Sequence, residues 1–482
     1  MLVDSNGLLR KVLLPQDRQK PKLSRTSLVS FFAILGGLFV LYTMIYGRVN
    51  LWYSGLHFLI IGLSLSHLLW VRRFNLGASY SLFALFFFGI IPLFEYRLGI
   101  TYNDAATPTD ASYVTAAAYA LLSSVCFYIG YGLKRGSTEP TAVLRRLRFV
   151  SGRHRQLVTW TAGFVLIALA VFIAAFYKFS VSSILLRGFG EETQQSAMGN
   201  SFTTYFARPM IFNLILIALL SMARRKSVPH AKMFALCCFV MFFVSPIGIP
   251  RSLAGALYIP MLMMLFIPKY HSKYALLCVI VFAVLFAAPV ADVFRSINHQ
   301  SDVDLGENFN VAYVFAGHFD AFHNLAQVVE LDYASAGWQV VGILLFWVPR
   351  SLWDGKPQGT SFDFADFAGW DAHNISFTLP AEFYVDYGVW GIILGMFVVG
   401  TIYRGLDNVL TKPRTPGTVA SYVAAISHFE LSVLGLYLIR GSVLSSFAYT
   451  VGVGAALFTI NFAESCIRGL CLERIRLAQP AE

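Results

Sequence analysis

Residues 157–177 read LVTWTAGFVLIALAVFIAAFY, a run of 21 residues without a charged side chain. A helix of this length rises about 30 Å, which is the thickness of the hydrocarbon core of a bilayer. Comparable apolar runs recur along the 482 residues of the chain. We therefore predict twelve membrane-spanning helices, at about 27–47, 51–71, 77–95, 113–133, 157–177, 207–223, 232–249, 252–268, 275–293, 386–403, 417–439 and 442–463.

The composition of the whole chain agrees with this prediction. Hydrophobic residues make up 57% of the chain and charged residues 13%, and the mean hydropathy is +0.62. Soluble domains carry about 25% charged residues, so soluble multidomain, disordered and coiled-coil chains are excluded. The six cysteines include no CxxC pair, which argues against a disulfide framework and a zinc site. The first apolar run follows a polar tail, and we expect it to remain as an anchor.

The distribution of basic residues predicts the topology. The net charge is +11. Lys and Arg occur in the N-terminal tail and directly after every even-numbered span, and such clusters are typical of cytoplasmic segments. We expect an all-α bundle of about twelve spans, with a large periplasmic loop that contains short interfacial helices. The predicted segments are a cytoplasmic tail at 1–26, nine spans within 27–293, the periplasmic loop at 294–385, three spans within 386–463 and a cytoplasmic tail at 464–482.

Two stretches of the predicted loop have helical patterns. Residues 336–349 (AGWQVVGILLFWVP) are apolar but too short to span a bilayer, which indicates a re-entrant or interfacial helix. In 318–330, apolar residues recur at helical spacing. That stripe is typical of a helix lying in the membrane plane.

Several cations map to the outer ends of the spans, where positive charge is disfavoured. A guanidinium at the edge of the hydrocarbon is costly unless it is paired or used, and its planar set of donors suits phosphate oxygens. Together they predict a site for a lipid-linked pyrophosphate, although each cation alone could extend to ordinary headgroups. The candidates are Arg251, Arg295, Arg350, Lys356 and Arg440.

Residues 349–391 (PRSLWDGKPQGTSFDFADFAGWDAHNISFTLPAEFYVDYGVWG) combine cations, aromatic residues and carboxylates in one loop. Trp353, Trp370 and Tyr384 are candidates to stack on sugar rings, or else belong to the interfacial aromatic belt. Glu382 stands just before an apolar span. It is either a general base for a hydroxyl proton or a charge at a helix start.

The histidines give further candidates. His318, Asp320 and His323 resemble a metal cluster, but a helix turns 100° per residue and cannot direct all three at one ion. We therefore predict no metal site and no cofactor. His318, Asp320 and His323 each remain a candidate for sugar binding or proton transfer. His373 is another candidate, or else a loop residue hydrogen-bonded at a turn, and Asn374 beside it is a candidate for sugar binding.

The arrangement PRSLWDGKPQG at 349–359, followed by HNISFTLPAEFYVDYG at 373–388, resembles bacterial O-antigen polymerases of the Wzy-dependent pathway, the oligosaccharide repeat-unit polymerases. The number of spans and the large outer loop are also similar. The resemblance implies a metal-independent, membrane-embedded glycosyltransferase of the bacterial inner membrane.

Such an enzyme transfers the growing glycan from undecaprenyl pyrophosphate to the non-reducing end of a new lipid-linked repeat unit of an O-antigen or exopolysaccharide. On this chain, the resemblance implies that the outer cations hold pyrophosphate and that Glu382 or a histidine activates the acceptor. Membrane lipids and a chain-length regulator protein are the partners expected, and nucleic acid is not. An O-antigen ligase and a lipid-linked glycan flippase or transporter are the alternatives.

Overall fold

The computed structural model divides the chain into units Met1–Val49 and Asn50–Glu482, and every helix named below belongs to the second unit. Besides the isolated positions 37, 278, 279, 282 and 414, the structure describes residues 49–71, 75–102, 107–133, 152–186, 202–223, 230–266, 319–335, 337–348, 352–370, 375–412, 418–441 and 443–477.

Every regular element within these ranges is helical. The helices are α1 Leu51–Trp70, α2 Leu76–Leu98, α3 Asp110–Leu133, α4 Gly152–Phe176, α5 Val181–Leu185, α6 Arg208–Ala223, α7 His230–Phe243, α8 Arg251–Phe266, α9 Ala321–Glu330, α10 Trp338–Leu344, α11 Thr360–Ala368, α12 Leu379–Leu410, α13 Val419–Leu434 and α14 Val443–Leu477.

The expectation of a membrane-spanning helical bundle is confirmed in its coarse form. Eight stretches are long and apolar enough to cross a membrane: α1, α2, α3, α12, most of α4 and α14, α6 with the turn before it, and α13 extended to Leu438. Two predicted spans correspond to the shorter apolar helices α7 and α8. Apart from the isolated positions named above, the predicted spans 27–47 and 275–293 lie outside the described residues.

Helix α12 packs closely along α3. A Cβ atom added at Gly400 would lie 2.1 Å from the carbonyl oxygen of Phe127, and one added at Gly130 would lie 2.1 Å from that of Phe397. Only residues without a side chain allow two helix backbones to approach this closely. The pair α3–α12 therefore fixes the frame on which the polar ends of the bundle are built.

Three carboxyl groups of α12 join it to other helices. The first N–H groups of a helix have no partner within that helix, and its N-terminus favours acidic side chains. Each carboxyl group accepts a hydrogen bond from the first turn of a different helix: Glu382 Oε1 from Val443 N at 2.8 Å, Asp386 Oδ2 from Val340 N at 2.7 Å, and Asp407 Oδ1 from Leu76 N at 3.0 Å. In this way α12 holds the starts of α14, α10 and α2.

Helix α9 differs from the predicted interfacial helix. Residues Ala321–Val328 are all buried, including the polar ones. Phe322 packs edge-on against His57 of α1, with ring centroids 4.9 Å apart, while Phe319 contacts Phe87 of α2. The apolar stripe therefore faces other helices, because α9 is inserted among α1, α2 and α3.

Candidate functional site

A group of polar side chains, all buried except the half-buried Arg440, surrounds α9 at one end of the bundle, and we name it the α9 cluster. Its members come from the end of α2, the following loop, the start of α3, α9 itself and the segment before α14. They are Glu95, Tyr102, Tyr113, Asp320, His323, Asn324, Gln327 and Arg440.

Asp320 and Asn324 form the centre of the α9 cluster. They lie one helical turn apart, and their exposed fractions are 3% and 0%. Asp320 Oδ2 accepts hydrogen bonds from Ser376 N and from Asn324 Nδ2, both at 3.0 Å. Asn324 Nδ2 also donates to the carbonyl oxygen of Ser376 at 2.8 Å. These bonds hold the carboxyl group against the extended segment that precedes α12.

The charge on Asp320 is set by two opposing effects. Burial, the larger effect, raises the pKa of its carboxyl group, because desolvation disfavours the ionised form. The nearby Arg440 guanidinium and the donors from Ser376 and Asn324 lower that pKa in part. A carboxyl group whose pKa is raised by burial can receive a proton more readily than an exposed one.

Arg440 is brought to Asp320 by hydrogen bonds on its C-terminal side. Gly441 N donates to the carbonyl oxygen of Phe377 at 2.8 Å, and Val443 N donates to Glu382 Oε1 at 2.8 Å. The segment between α13 and α14 is thus attached to the start of α12. The half-buried Arg440 guanidinium therefore lies near enough to the Asp320 carboxyl group for its charge to lower the pKa of that group.

His323 is neutral, and both of its ring nitrogens lie within hydrogen-bonding distance of other side chains. Its Nδ1 lies 3.0 Å from the Tyr113 hydroxyl, and its Nε2 lies 3.3 Å from the amide nitrogen of Gln327. Because an amide nitrogen only donates, Nε2 is the acceptor and the ring proton resides on Nδ1. Burial lowers the pKa of His323 to about 4. Next to it, the Tyr102 hydroxyl donates to Glu95 at 2.5 Å.

The predicted base Glu382 lies in the first turn of α12, and its exposed fraction is 3%. Its hydrogen bond from Val443 fits the second interpretation from the sequence, a charge at a helix start. The helix that it serves, however, is α14 rather than its own.

Lys356 donates from Nζ to the carbonyl oxygens of Phe346 at 2.6 Å and Val348 at 2.8 Å. Lys356 therefore binds the backbone that follows α10. Neither hydrogen bond places its side chain beside Arg440. Arg251 begins α8, and the structure describes only its backbone.

The predicted sugar-binding aromatic residues are half-buried and dispersed. Trp353 lies with its ring centroid 6.2 Å from that of Trp338. Trp370 packs edge-on against Phe364, and Tyr384 lies 5.0 Å from Tyr119. The other predicted site residues fall outside the described residues: His318, His373, Asn374, Arg295 and Arg350.

A second polar group lies at the opposite end of α12, about 30 Å along the helix from its irregular turn at Gly388. Asp407 accepts hydrogen bonds from the Tyr131 hydroxyl at 2.5 Å and from His428 Nε2 at 3.0 Å, besides that from Leu76. Because these donors come from α2, α3 and α13, Asp407 of α12 joins four helices.

The sequence reasoning missed most of the α9 cluster. Glu95 carried a signal, because a carboxyl group inside an apolar span is rare. Tyr113 and Gln327 carried no signal. Tyr113 is far from its partner His323 in the sequence, and a glutamine four residues from a histidine is an ordinary pattern. Within the described part of the chain, no group of three His, Cys, Asp or Glu residues is arranged to hold a metal ion.

Comparisons with known proteins find no matching family model, no similar curated protein and no similar solved structure. The resemblance of residues 349–391 to O-antigen polymerases therefore stays a prediction.

Proposed function

We propose that this chain is a membrane-embedded glycosyltransferase that polymerises lipid-linked oligosaccharide repeat units at the end of the bundle that carries the α9 cluster. The growing glycan passes from undecaprenyl pyrophosphate to the non-reducing end of a new repeat unit, without a metal ion. In this proposal the α9 cluster faces the periplasm, the chain spans the bacterial inner membrane, and both termini are cytoplasmic.

The observation that supports the proposal is that the half-buried Arg440 guanidinium lies close enough to the buried Asp320 carboxyl group to alter its ionisation, at the end of apolar helices. Glycosyl transfer from a lipid pyrophosphate needs a cation for the leaving group and a group that receives the acceptor proton. Both must lie where a lipid tail can remain in hydrocarbon. The α9 cluster offers both at the level where membrane-spanning helices end.

Arg440 is the group best placed to bind the pyrophosphate. Its side chain has five N–H donors, so it can face Asp320 and phosphate oxygens together. The leaving pyrophosphate gains negative charge as its glycosidic bond breaks, and a cation held in a site of low dielectric stabilises that charge more than water would. The hydrogen bonds of Gly441 and Val443 fix the backbone for this role.

The test uses a strain deleted for the gene and complemented with variants. Arg440→Ala is expected to lower the rate by about 10²–10³-fold, as loss of one such donor does, so that only single repeats remain. Arg440→Lys keeps the charge without the planar fork and should restore part of the ladder.

Arg414→Ala is the matched control, because Arg414 donates to the backbone carbonyl oxygens of Val409, Leu410 and Lys412 at the end of α12. It should leave a full ladder. A full ladder from normally expressed Arg440→Ala would contradict the role of Arg440. Purified protein that elongates extracted lipid-linked repeats only when a divalent metal is present would contradict the metal-independent reaction.

One observation favours a transporter as the second candidate. Glu430 of α13 is fully buried beside Asn213 of α6, and neither of its carboxyl oxygens has a hydrogen-bond partner in the described structure. Ionisable residues inside spans often mark transport pathways. The deletion strain separates these candidates and the ligase: loss of a polymerase leaves single repeats on the cell surface, loss of a flippase traps repeats inside, and loss of a ligase leaves no capped acceptor.

A further inference from the structure

Two buried acceptor oxygens of the α9 cluster lack donors. Asp320 Oδ1 and Asn324 Oδ1 have no hydrogen-bond partner among the described residues, whereas the other polar atom of each side chain is bonded. A buried acceptor without a donor costs about 1–3 kcal/mol, and most buried polar groups in proteins are satisfied. Two such oxygens one turn apart on α9 indicate a ligand that brings two donors.

The surroundings select the chemistry of that ligand. A phosphate or carboxylate ligand would place acceptor against acceptor at these oxygens. A cation would be repelled by the Arg440 guanidinium, which lies close enough to Asp320 to alter its ionisation. A neutral molecule with neighbouring hydroxyl groups satisfies both oxygens and tolerates the guanidinium.

We propose that Asp320 Oδ1 and Asn324 Oδ1 bind two hydroxyl groups of the acceptor sugar, and that Asp320 is the catalytic base. This inference rests on the proposed function. In the step, the acceptor oxygen forms a bond to C1 of the donor glycan while the bond from C1 to the pyrophosphate oxygen breaks. The hydroxyl proton passes to Asp320 Oδ1, and undecaprenyl pyrophosphate leaves with the electron pair of the broken bond.

The charged and titratable groups around Asp320 come from three elements. Arg440 follows α13, Glu95 ends α2, and Tyr102 lies in the loop after it; each interacts electrostatically with Asp320. On α9 itself, His323 is neutral above a pH of about 4. Because burial raises the pKa of Asp320, the base form is lost as the pH falls through that raised value. The rate should therefore rise with pH through a value above the ordinary pKa of an aspartate.

The experiment uses purified full-length protein and lipid-linked repeat units extracted from the deletion strain. Asp320→Asn should lower kcat by about 10²–10⁴-fold and remove the acidic limb from the remaining pH profile. Glu330→Gln is the matched control, since it makes the same change at the exposed end of α9, where Glu330 accepts hydrogen bonds from Thr109. It should retain wild-type kinetics.

Asn324→Ser gives a second measurement if Asp320→Asn does not fold. It should raise the KM for the lipid-linked acceptor about three- to tenfold, as loss of a single hydrogen bond does, with a smaller change in kcat. Folding of each variant is checked by its melting temperature in detergent.

The outcomes separate the inference from the proposed function. If the wild-type protein elongates the repeats and folded Asp320→Asn does so at a similar rate with an unchanged pH profile, the inference is wrong and the proposed function stands. If folded Asn324→Ser leaves KM unchanged, Asn324 does not bind the acceptor. If the wild-type protein elongates no repeat, both the proposed function and the inference fall.

Discussion

Substitution of Glu382 decides between its two interpretations, general base and helix cap. Its Oε1 atom accepts the hydrogen bond from Val443 N at 2.8 Å, and the side chain is 3% exposed. Glu382→Gln keeps an amide oxygen in the same place, so it retains an acceptor for α14. Glu382→Ala removes the acceptor and leaves the half-buried Val443 N–H group without this partner.

The size of the effect follows from that one bond. An unsatisfied buried donor costs about 1–3 kcal/mol, so we expect Glu382→Ala to lower the free energy of unfolding by about 2 kcal/mol. Since the net value of one neutral hydrogen bond is about 1 kcal/mol, Glu382→Gln should lower it by less than that. A general base would behave differently, because its amide variant loses about 10²–10⁴-fold in rate.

Two measurements on each variant separate these cases. The first is unfolding of the purified protein in mixed detergent micelles with increasing SDS. The second is the length of the glycan ladder in the complemented deletion strain. We expect Glu382→Gln to give long glycan and nearly wild-type unfolding, and Glu382→Ala to unfold earlier with shortened glycan. A Glu382→Gln protein of wild-type stability that makes only single repeats would refute the helix-cap reasoning.

Two further predictions concern the frame of the bundle. Asp407→Ala should lower the free energy of unfolding by about 3–5 kcal/mol, because it leaves the buried donors of several helices without their acceptor; unfolding in SDS micelles measures this, and a change below about 1 kcal/mol would contradict it. Exposed positions before and after α12 should face opposite sides of the membrane. In a background without native cysteines, an impermeant thiol reagent on intact cells should label Asp366→Cys and not Lys412→Cys, and equal labelling would refute the topology.

The sequence predicts the long apolar helices well but not their ends. The helix that contains the span predicted at 386–403 begins seven residues earlier, at Leu379, and its backbone leaves the helical conformation at Tyr387 and Gly388. Thr378 caps the helix by accepting a hydrogen bond from Ala381 N, and Pro380 suits its first turn. Hydropathy starts the predicted span only near Asp386, because the carboxyl groups of Glu382 and Asp386 interrupt the apolar run. Glu382 and Asp386 lie in the helical stretch before this break in the helix, where they accept hydrogen bonds from N–H groups of other helices.

The α9 cluster could be predicted only where its pattern is local. Helical spacing of three and four residues puts His323 and Asn324 on the side of the helix that carries Asp320. The hydrogen bond between Tyr113 and His323 joins residues 210 positions apart. No periodicity in a single sequence indicates such a pair, because it depends on how α9 inserts between other helices.

Charge in an unfavourable place is therefore an incomplete guide to function in this chain, and the partner of each charge decides its role. Lys356 donates to two carbonyl oxygens. Arg208, which is 1% exposed, donates to those of Gly248 and Ile184. Both cations donate to backbone carbonyl oxygens that would otherwise lack a hydrogen bond in an apolar region. The Arg440 guanidinium instead lies near the Asp320 carboxyl group, one oxygen of which has no donor among the described residues. A cation that only closes the fold needs no such neighbour, and this difference is why the chemistry is assigned to the end of the bundle at Asp320.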